Sequence, residues 1–262
     1  IIFGSVTGGQ WETVLRVIYE VQFNIKDPVF DQDISFYVFT LPMLNMVQGW
    51  LLGTMITTML ITSSIYLINI SLRGVKLGQA ITPQIIRHAS ILLGLLLFII
   101  TWTYWIDRYE LLFSSSGTIF GAAYTDLNAR LPALHILIVI GGVIGLLLLA
   151  NTYFRSPRII VSGLGLWIAA AIAVGAIYPS LVQRFQVAPN ELEKERTYIP
   201  RNLEYTRQGF ALDRIVEEDY DLATIDTGDQ AGELAPITAE TIAANPGTID
   251  NVRLWDSRTL RS

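Results

Sequence analysis

The chain contains no cysteine. That absence removes disulfides, thiolate nucleophiles and cysteine-bound metals together. Charge is the second scarcity: Asp, Glu, Lys and Arg make up 16% of the 262 residues, where soluble domains carry about 25%. The deficit is concentrated, because residues 34–72, 88–106, 131–154 and 159–183 hold no charged side chain at all. Also missing are G-x-S-x-G, H-E-x-x-H, a phosphate loop and a dinucleotide fingerprint. With no catalytic motif the reading favours a protein that is not an enzyme, and no cofactor or metal is expected. A net charge of -5 argues against nucleic acid as a partner.

In place of charge there is apolar length. Hydrophobic residues make up 52% of the chain, and the mean hydropathy is +0.45. Each uncharged run is long enough to cross a hydrocarbon core about 30 Å thick, which takes about 20 helical residues. Helices packed in a soluble core keep a polar stripe, and these runs have none. The expected fold is a membrane all-α protein with four transmembrane helices, at about 46–69, 88–106, 133–153 and 159–182, followed by the start of a mixed α/β extracytoplasmic domain. Residues 1–43 are expected as an external juxtamembrane segment, 44–183 as the four-helix region and 184–262 as the start of the external domain. The chain opens Ile-Ile-Phe and closes on "RLWDSRTLRS"; the expectation is an internal stretch of a longer protein.

Charge in the connections sets the expected direction. Arg73, Lys76 and Arg87 stand in the connection between the first and second spans, residues 71–87, with no acid, and Arg155 and Arg158 in the short "FRSPR" connector, again with no acid. The other side collects the acids: five against two bases in 1–43, three against two in 107–130, fifteen against nine from 184 onward. Lys and Arg in short loops favour the cytoplasm, so the two basic connectors are expected inside and both chain ends outside. On that reading "DPVFDQD" is an external approach to the first span, with Leu41 and Pro42 just before it.

Outside the spans the signals are shorter. "WETVLRVIYEVQF" places Trp11, Val14, Leu15 and Ile18 at helical spacing, for a helix lying on the membrane or packed on the external domain; both readings stand. Asn190 with Glu193 has capping-box spacing. Pro200 interrupts, and a second helix is expected to stop at Gly209. "DRIVEEDYDL" and "NVRLW" read as strands, and "ITAETIAAN" as a helix capped by Thr238.

Candidate functional residues are few. Asp107, Arg108, Tyr109 and Glu110 form a polar cluster after Trp102, Tyr104 and Trp105, which have the composition of an interfacial aromatic belt. The cluster is read as a helix-end anchor, with a substrate or ion site as the alternative. His88 and His135 fall at opposite ends of their spans and cannot share a metal. Thr54, Thr57, Thr58, Thr62, Ser63 and Ser64 make the first span hydroxyl-rich; such groups line a polar path or bond to their own helix carbonyls. Gly49 and Gly53, Gly141 and Gly145, and Ala171 and Gly175 keep the spacing that lets membrane helices approach closely.

Four blocks in order, "DPVFDQDISFYVFTLP", "DRYELLFSSSGTIFGAAYTDLNARLP", "PSLVQRFQVAPNELEKERTYIPRNLEYTRQGFAL" and "NVRLWDSRTL", resemble the bacterial membrane proteins grouped as uncharacterised protein family 0182. The resemblance implies several N-terminal spans followed by a large extracytoplasmic region. It carries no activity, cofactor or catalytic residue with it. The resulting expectation is a multi-pass plasma-membrane protein whose helices anchor an extracytoplasmic domain, with the lipid bilayer, other parts of the same longer chain and envelope components as partners. The alternatives are a transporter or lipid-handling protein, and a membrane-bound enzyme with its catalytic groups beyond Ser262.

Overall fold

The computed structural model describes residues 8–72, 74, 82–115, 120–215 and 239–244. Residues 1–210 and 211–262 form two compact units. The first unit contains four helical stretches long and apolar enough to cross a membrane: Phe36–Leu72, Pro83–Phe113, Asp126–Phe154 and Pro157–Glu195. Among the described residues no strand forms; the only β contact is an isolated antiparallel bridge between Lys26 and Asp33. The described residues therefore show the helical part of the expected fold and not its mixed α/β external domain. Both expected strands lie outside the described residues, except where Leu212–Arg214 winds into a 3-10 turn. Arg73 and Lys76 of the basic connection and Thr238 of the expected cap also lie outside them, while a short helix does form over Ala239–Ala243.

Helix α1, Trp11–Ile18, leaves no residue buried. The acidic segment after it folds onto itself. Asp27 is only 8% exposed, and its oxygens accept the N–H groups of Val29, Phe30 and Gln32 at 2.8, 2.7 and 2.9 Å. A carboxylate that satisfies three backbone donors holds a turn that short chain propensity alone would not. Asp33 accepts from Phe23 N–H at 3.1 Å and from Ser35 N–H at 2.8 Å. These bonds hold its carboxyl below the usual carboxylate range, the Ser35 N–H having the largest effect. The helical backbone leading into α2, Leu41–Leu72, starts directly behind this cap.

Four prolines that fall inside continuous helical stretches are accommodated in the same way. A proline ring collides with the carbonyl four residues back and donates no N–H. Wide π-helical turns occupy Phe36–Thr40, Asp126–Arg130, Ala171–Ile177 and Gln183–Val187. Each ends two residues before a proline: Pro42, Pro132, Pro179 and Pro189. In all four the residue before the proline donates its N–H five residues back, Leu41 to Phe36, Leu131 to Asp126, Tyr178 to Ala173 and Ala188 to Gln183. Widening the turn gives the displaced carbonyls room, so the backbone stays helical through positions where proline would break an α-helix.

Helix α3, Pro83–Glu110, is capped by Thr82, whose hydroxyl accepts from Ile85 N–H at 3.4 Å. Helix α4, Leu131–Phe154, runs back antiparallel to it. A left-handed Arg155 (φ 53°) and an extended Ser156 then turn the chain into α5, Pro157–Ala170. The helical path continues through α6, Tyr178–Val182, and α7, Glu191–Glu195, before α8, Ile199–Gly209. The core lies between α3, α4 and α5, where buried Leu97, Ile144 and Leu148 meet Leu93, Ile160 and Leu164. At the other end of α3 a second cluster joins Tyr37, Leu41 and Ile106 to Trp102, Trp105 and Tyr109. The expected Asn190–Glu193 pair meets side chain to side chain, but Asn190 does not cap the helix backbone.

Candidate functional site

The polar residues at the end of α3 point to two different neighbouring helices. Glu110 Oε1 accepts from Asn45 Nδ2 on α2 at 2.5 Å. Arg108 donates to His135 Nε2 on α4 at 3.3 Å and to the Trp105 carbonyl at 3.2 Å. Its guanidinium also lies over the Trp105 and Tyr109 rings, 5.3 and 5.2 Å from their centroids. Asp107 is half-buried and makes no hydrogen bond or ion pair to a described residue. The cluster does not converge on one point. It ties the end of α3 to α2 on one side and to α4 on the other.

The remaining sequence candidates take similar places. Tyr66 Oη meets His88 Nδ1 at 2.5 Å, clamping the far end of the α2–α3 pair, while Gln48 donates to Thr103 at 2.5 Å near the first end. The hydroxyls of Thr54, Thr57, Thr58 and Ser64 each donate to their own helix four residues back, at 2.8 Å. A Cβ built on Gly141 would collide with Thr101 Oγ1, and one on Gly145 would lie 3.2 Å from the Phe98 ring. On Gly175 it would lie 3.1 Å from Leu137. Gly49 differs: an added Cβ meets nothing within 4 Å in this chain. Gly53 contributes its carbonyl to Thr57.

A concave apolar feature lies elsewhere. A cavity of about 320 Å3 opens between the Asp27 loop, the end of α3, the approach to α4 and helix α8. Its walls include Val29, Ile34, Leu112, Phe113 and Phe120. Tyr37 donates its hydroxyl to Asp27 Oδ2 at 2.8 Å across one wall. From the opposite wall Tyr205 donates to the Lys26 carbonyl at 2.9 Å, and Asn202 to the Phe120 carbonyl at 2.5 Å. Burial pushes the Tyr205 hydroxyl up from its ordinary range, with Glu204 and Asp27 adding to the effect, so it stays a donor at neutral pH. Gly121, at φ 121°, takes a backbone conformation that a side chain would strain. Below the cavity, buried Glu195 accepts the Tyr124 N–H at 3.1 and 3.2 Å. Buried Asp126 pairs with Arg130 at 2.9 Å.

The sequence reading did not single out this cavity. One signal was present: Tyr198, Arg201, Asn202 and Tyr205 fall at i, i+3, i+4 and i+7, on one face of α8. The partner face, twenty-odd residues from the N-terminus, has no local mark of its own.

Four long apolar helices with polar contacts gathered at their ends are the architecture of a membrane-associated protein. The chain belongs to the uncharacterised protein family UPF0182, whose family model matches residues 1–262. It is 35% identical over 265 residues to a UPF0182 protein of Nostoc sp., covering 99% of this chain and 25% of that protein. A UPF0182 protein of Desulforamulus reducens is 33% identical over 260 residues, with 99% and 27% covered. One of Thermobifida fusca is 36% identical over 256 residues, with 98% and 24% covered. The chain thus spans about a quarter of the length of the curated relatives it matches. No solved structure gives a significant match.

Proposed function

We propose that the chain belongs to a multi-pass integral protein of the bacterial plasma membrane, in which the four helices anchor and position an extracytoplasmic region. Residues 1–43 and 184–262 lie outside in this reading, and the partners are the bilayer, the rest of the same longer chain and envelope components. The observation that carries it is the distribution of polarity. Hydroxyls along α2 return to their own backbone, whereas the bonded polar pairs between α2 and α3 stand at their ends. A conduction path needs polar groups from several helices converging near mid-membrane, and an anchor needs them only at the two interfaces.

The cavity beside Tyr37 favours a second reading, a lipid-handling protein, since it is apolar and adjoins the aromatic end of α3. The topology underlying both is tested with single cysteines introduced into a background from which any native cysteines have been removed. In intact cells an impermeant thiol reagent should label a cysteine at Ser115 and spare one at Gln79. The reverse pattern inverts the orientation and removes the extracytoplasmic assignment.

A further inference from the structure

The 320 Å3 cavity has the chemistry of a particular ligand. Apolar side chains form most of its wall, and its size is at the small end of the roughly 300–1,000 Å3 range of ligand pockets. Arg201 on α8 lines it and lies 5.7 Å from the Tyr198 ring centroid. Among the described residues this guanidinium has no carboxylate partner. Tyr198, also in the wall, accepts from Asn128 at 2.8 Å, which leaves its own hydroxyl hydrogen to donate. Among the described residues the one acid in the wall is Asp27, and its oxygens are already engaged by three N–H groups and the Tyr37 hydroxyl. The free valence of the site is therefore cationic.

We infer that this cavity binds one acyl chain of an anionic lipid from the adjoining leaflet, with the lipid's phosphate against Arg201. A guanidinium beside an apolar slot matches an anionic head on a hydrocarbon tail. A peptide segment fits less well, because its backbone N–H and C=O groups would lose water in a cavity with few polar partners. The leaflet is the source because the mouth is apolar and exposed: Phe113 is 49% and Phe120 64% exposed, beside the Trp105 and Tyr109 end of α3. The inference rests on the membrane-edge placement proposed above. The cysteine-labelling experiment tests that placement separately, so the two can fail independently.

The test uses the full-length protein in phosphatidylcholine nanodiscs with a lysophosphatidic acid carrying a diazirine in its tail. After illumination, mass spectrometry should find the label on Leu112, Phe113 or Phe120. Alkyl phosphates should compete with a gain of about fourfold per added methylene until the slot is full. Arg201→Gln should weaken dodecyl phosphate competition at least tenfold and leave dodecanol unchanged. Ala122→Leu, which narrows the slot, should abolish the label while insertion and melting temperature hold; it serves equally if Arg201→Gln fails to fold. Label scattered along the four spans, equal loss for phosphate and alcohol, or labelling unchanged in Ala122→Leu would overturn the assignment. Labelling by a water-soluble diazirine octyl phosphate but not by the bilayer-embedded probe would overturn the leaflet as source.

Discussion

Asn151 Nδ2 donates to Ser90 Oγ at 2.9 Å, and neither residue exposes any surface. The same amide also donates to the Ser156 carbonyl at 3.0 Å and accepts from the Ser156 N–H at 3.0 Å. One side chain thus joins α3, the last turn of α4 and the residue that caps α5. That explains how a connector as short as Arg155-Ser156 reverses the chain: the left-handed Arg155 needs a fixed neighbour, and Asn151 supplies it.

Removing that amide should cost more than removing its partner on α3. Asn151→Ala removes both bonds to part-buried Ser156, at about 1 kcal/mol each. Ser90→Ala loses a single contact between helices, about 0.6 kcal/mol on average in membrane proteins. We expect Asn151→Ala to lower the stability of the detergent-solubilised protein by about 2 kcal/mol and Ser90→Ala by under about 1 kcal/mol. Equal effects in chemical denaturation would mean the connector holds its shape without Asn151.

Adjacent glycines in α4 provide an internal control for helix packing. Both gain helix propensity on replacement by alanine, about 1 kcal/mol. Gly142 has open space around an added Cβ, while on Gly141 the Cβ runs into Thr101. Gly142→Ala should therefore be neutral or slightly stabilising. Gly141→Ala should destabilise by about 1–3 kcal/mol, the usual cost of overpacking. If thermal unfolding ranks them the other way, α3 and α4 do not depend on their close approach.

The parts of this structure that could be read in the sequence are those set by solvent. Residues 131–154 form an uncharged run long enough to cross a hydrocarbon core, and α4 coincides with that run. Where helices start and stop was less legible. Gln183 and Arg184 look like the polar end of a span, yet the helical path runs on to Glu195, since wide turns absorb Pro179 and Pro189. The polar cluster at Asp107 was visible as composition, but its division among α2 and α4 depends on Asn45 and His135, 65 and 27 residues from their partners. The cavity was least legible. It brings Lys26 against Tyr205, 179 residues apart, and no local pattern encodes a meeting at that range.

The Asp33 cap should be sensitive to acid. Its carboxylate is held below the usual carboxylate range, chiefly by the Ser35 N–H and also by the Phe23 N–H. A group whose folded value is depressed contributes its stability above the unfolded value and loses it as pH falls through the folded one. The turn over residues 23–35 should thus be fully protected above about pH 4 and open below it, read as amide hydrogen exchange at Ser35. Asp33→Asn should show weaker protection at neutral pH and no further loss on acidification. An acid transition of the same size in Asp33→Asn would assign it to another group.

Asp107 separates anchor from transporter. It sits half-buried at the end of α3, with no hydrogen bond or ion pair to a described residue, while its neighbours Arg108 and Glu110 are engaged by His135 and Asn45. Asp107 and Glu110 are three residues apart on one helix face, and like charges at that spacing repel by roughly 0.2–0.5 kcal/mol. Asp107→Asn keeps the shape and removes the repulsion. If the helices only anchor, the variant should insert normally, unfold at the same temperature or slightly higher, and complement a deletion strain fully. If the carboxylate binds a moving cation or proton, the same variant should insert normally and fail to complement. The dispersal of the neighbouring polar groups towards different helices favours the first outcome. A correctly inserted, stable Asp107→Asn protein without function would sink the anchor reading and make the Tyr104 face of α3 the route to trace.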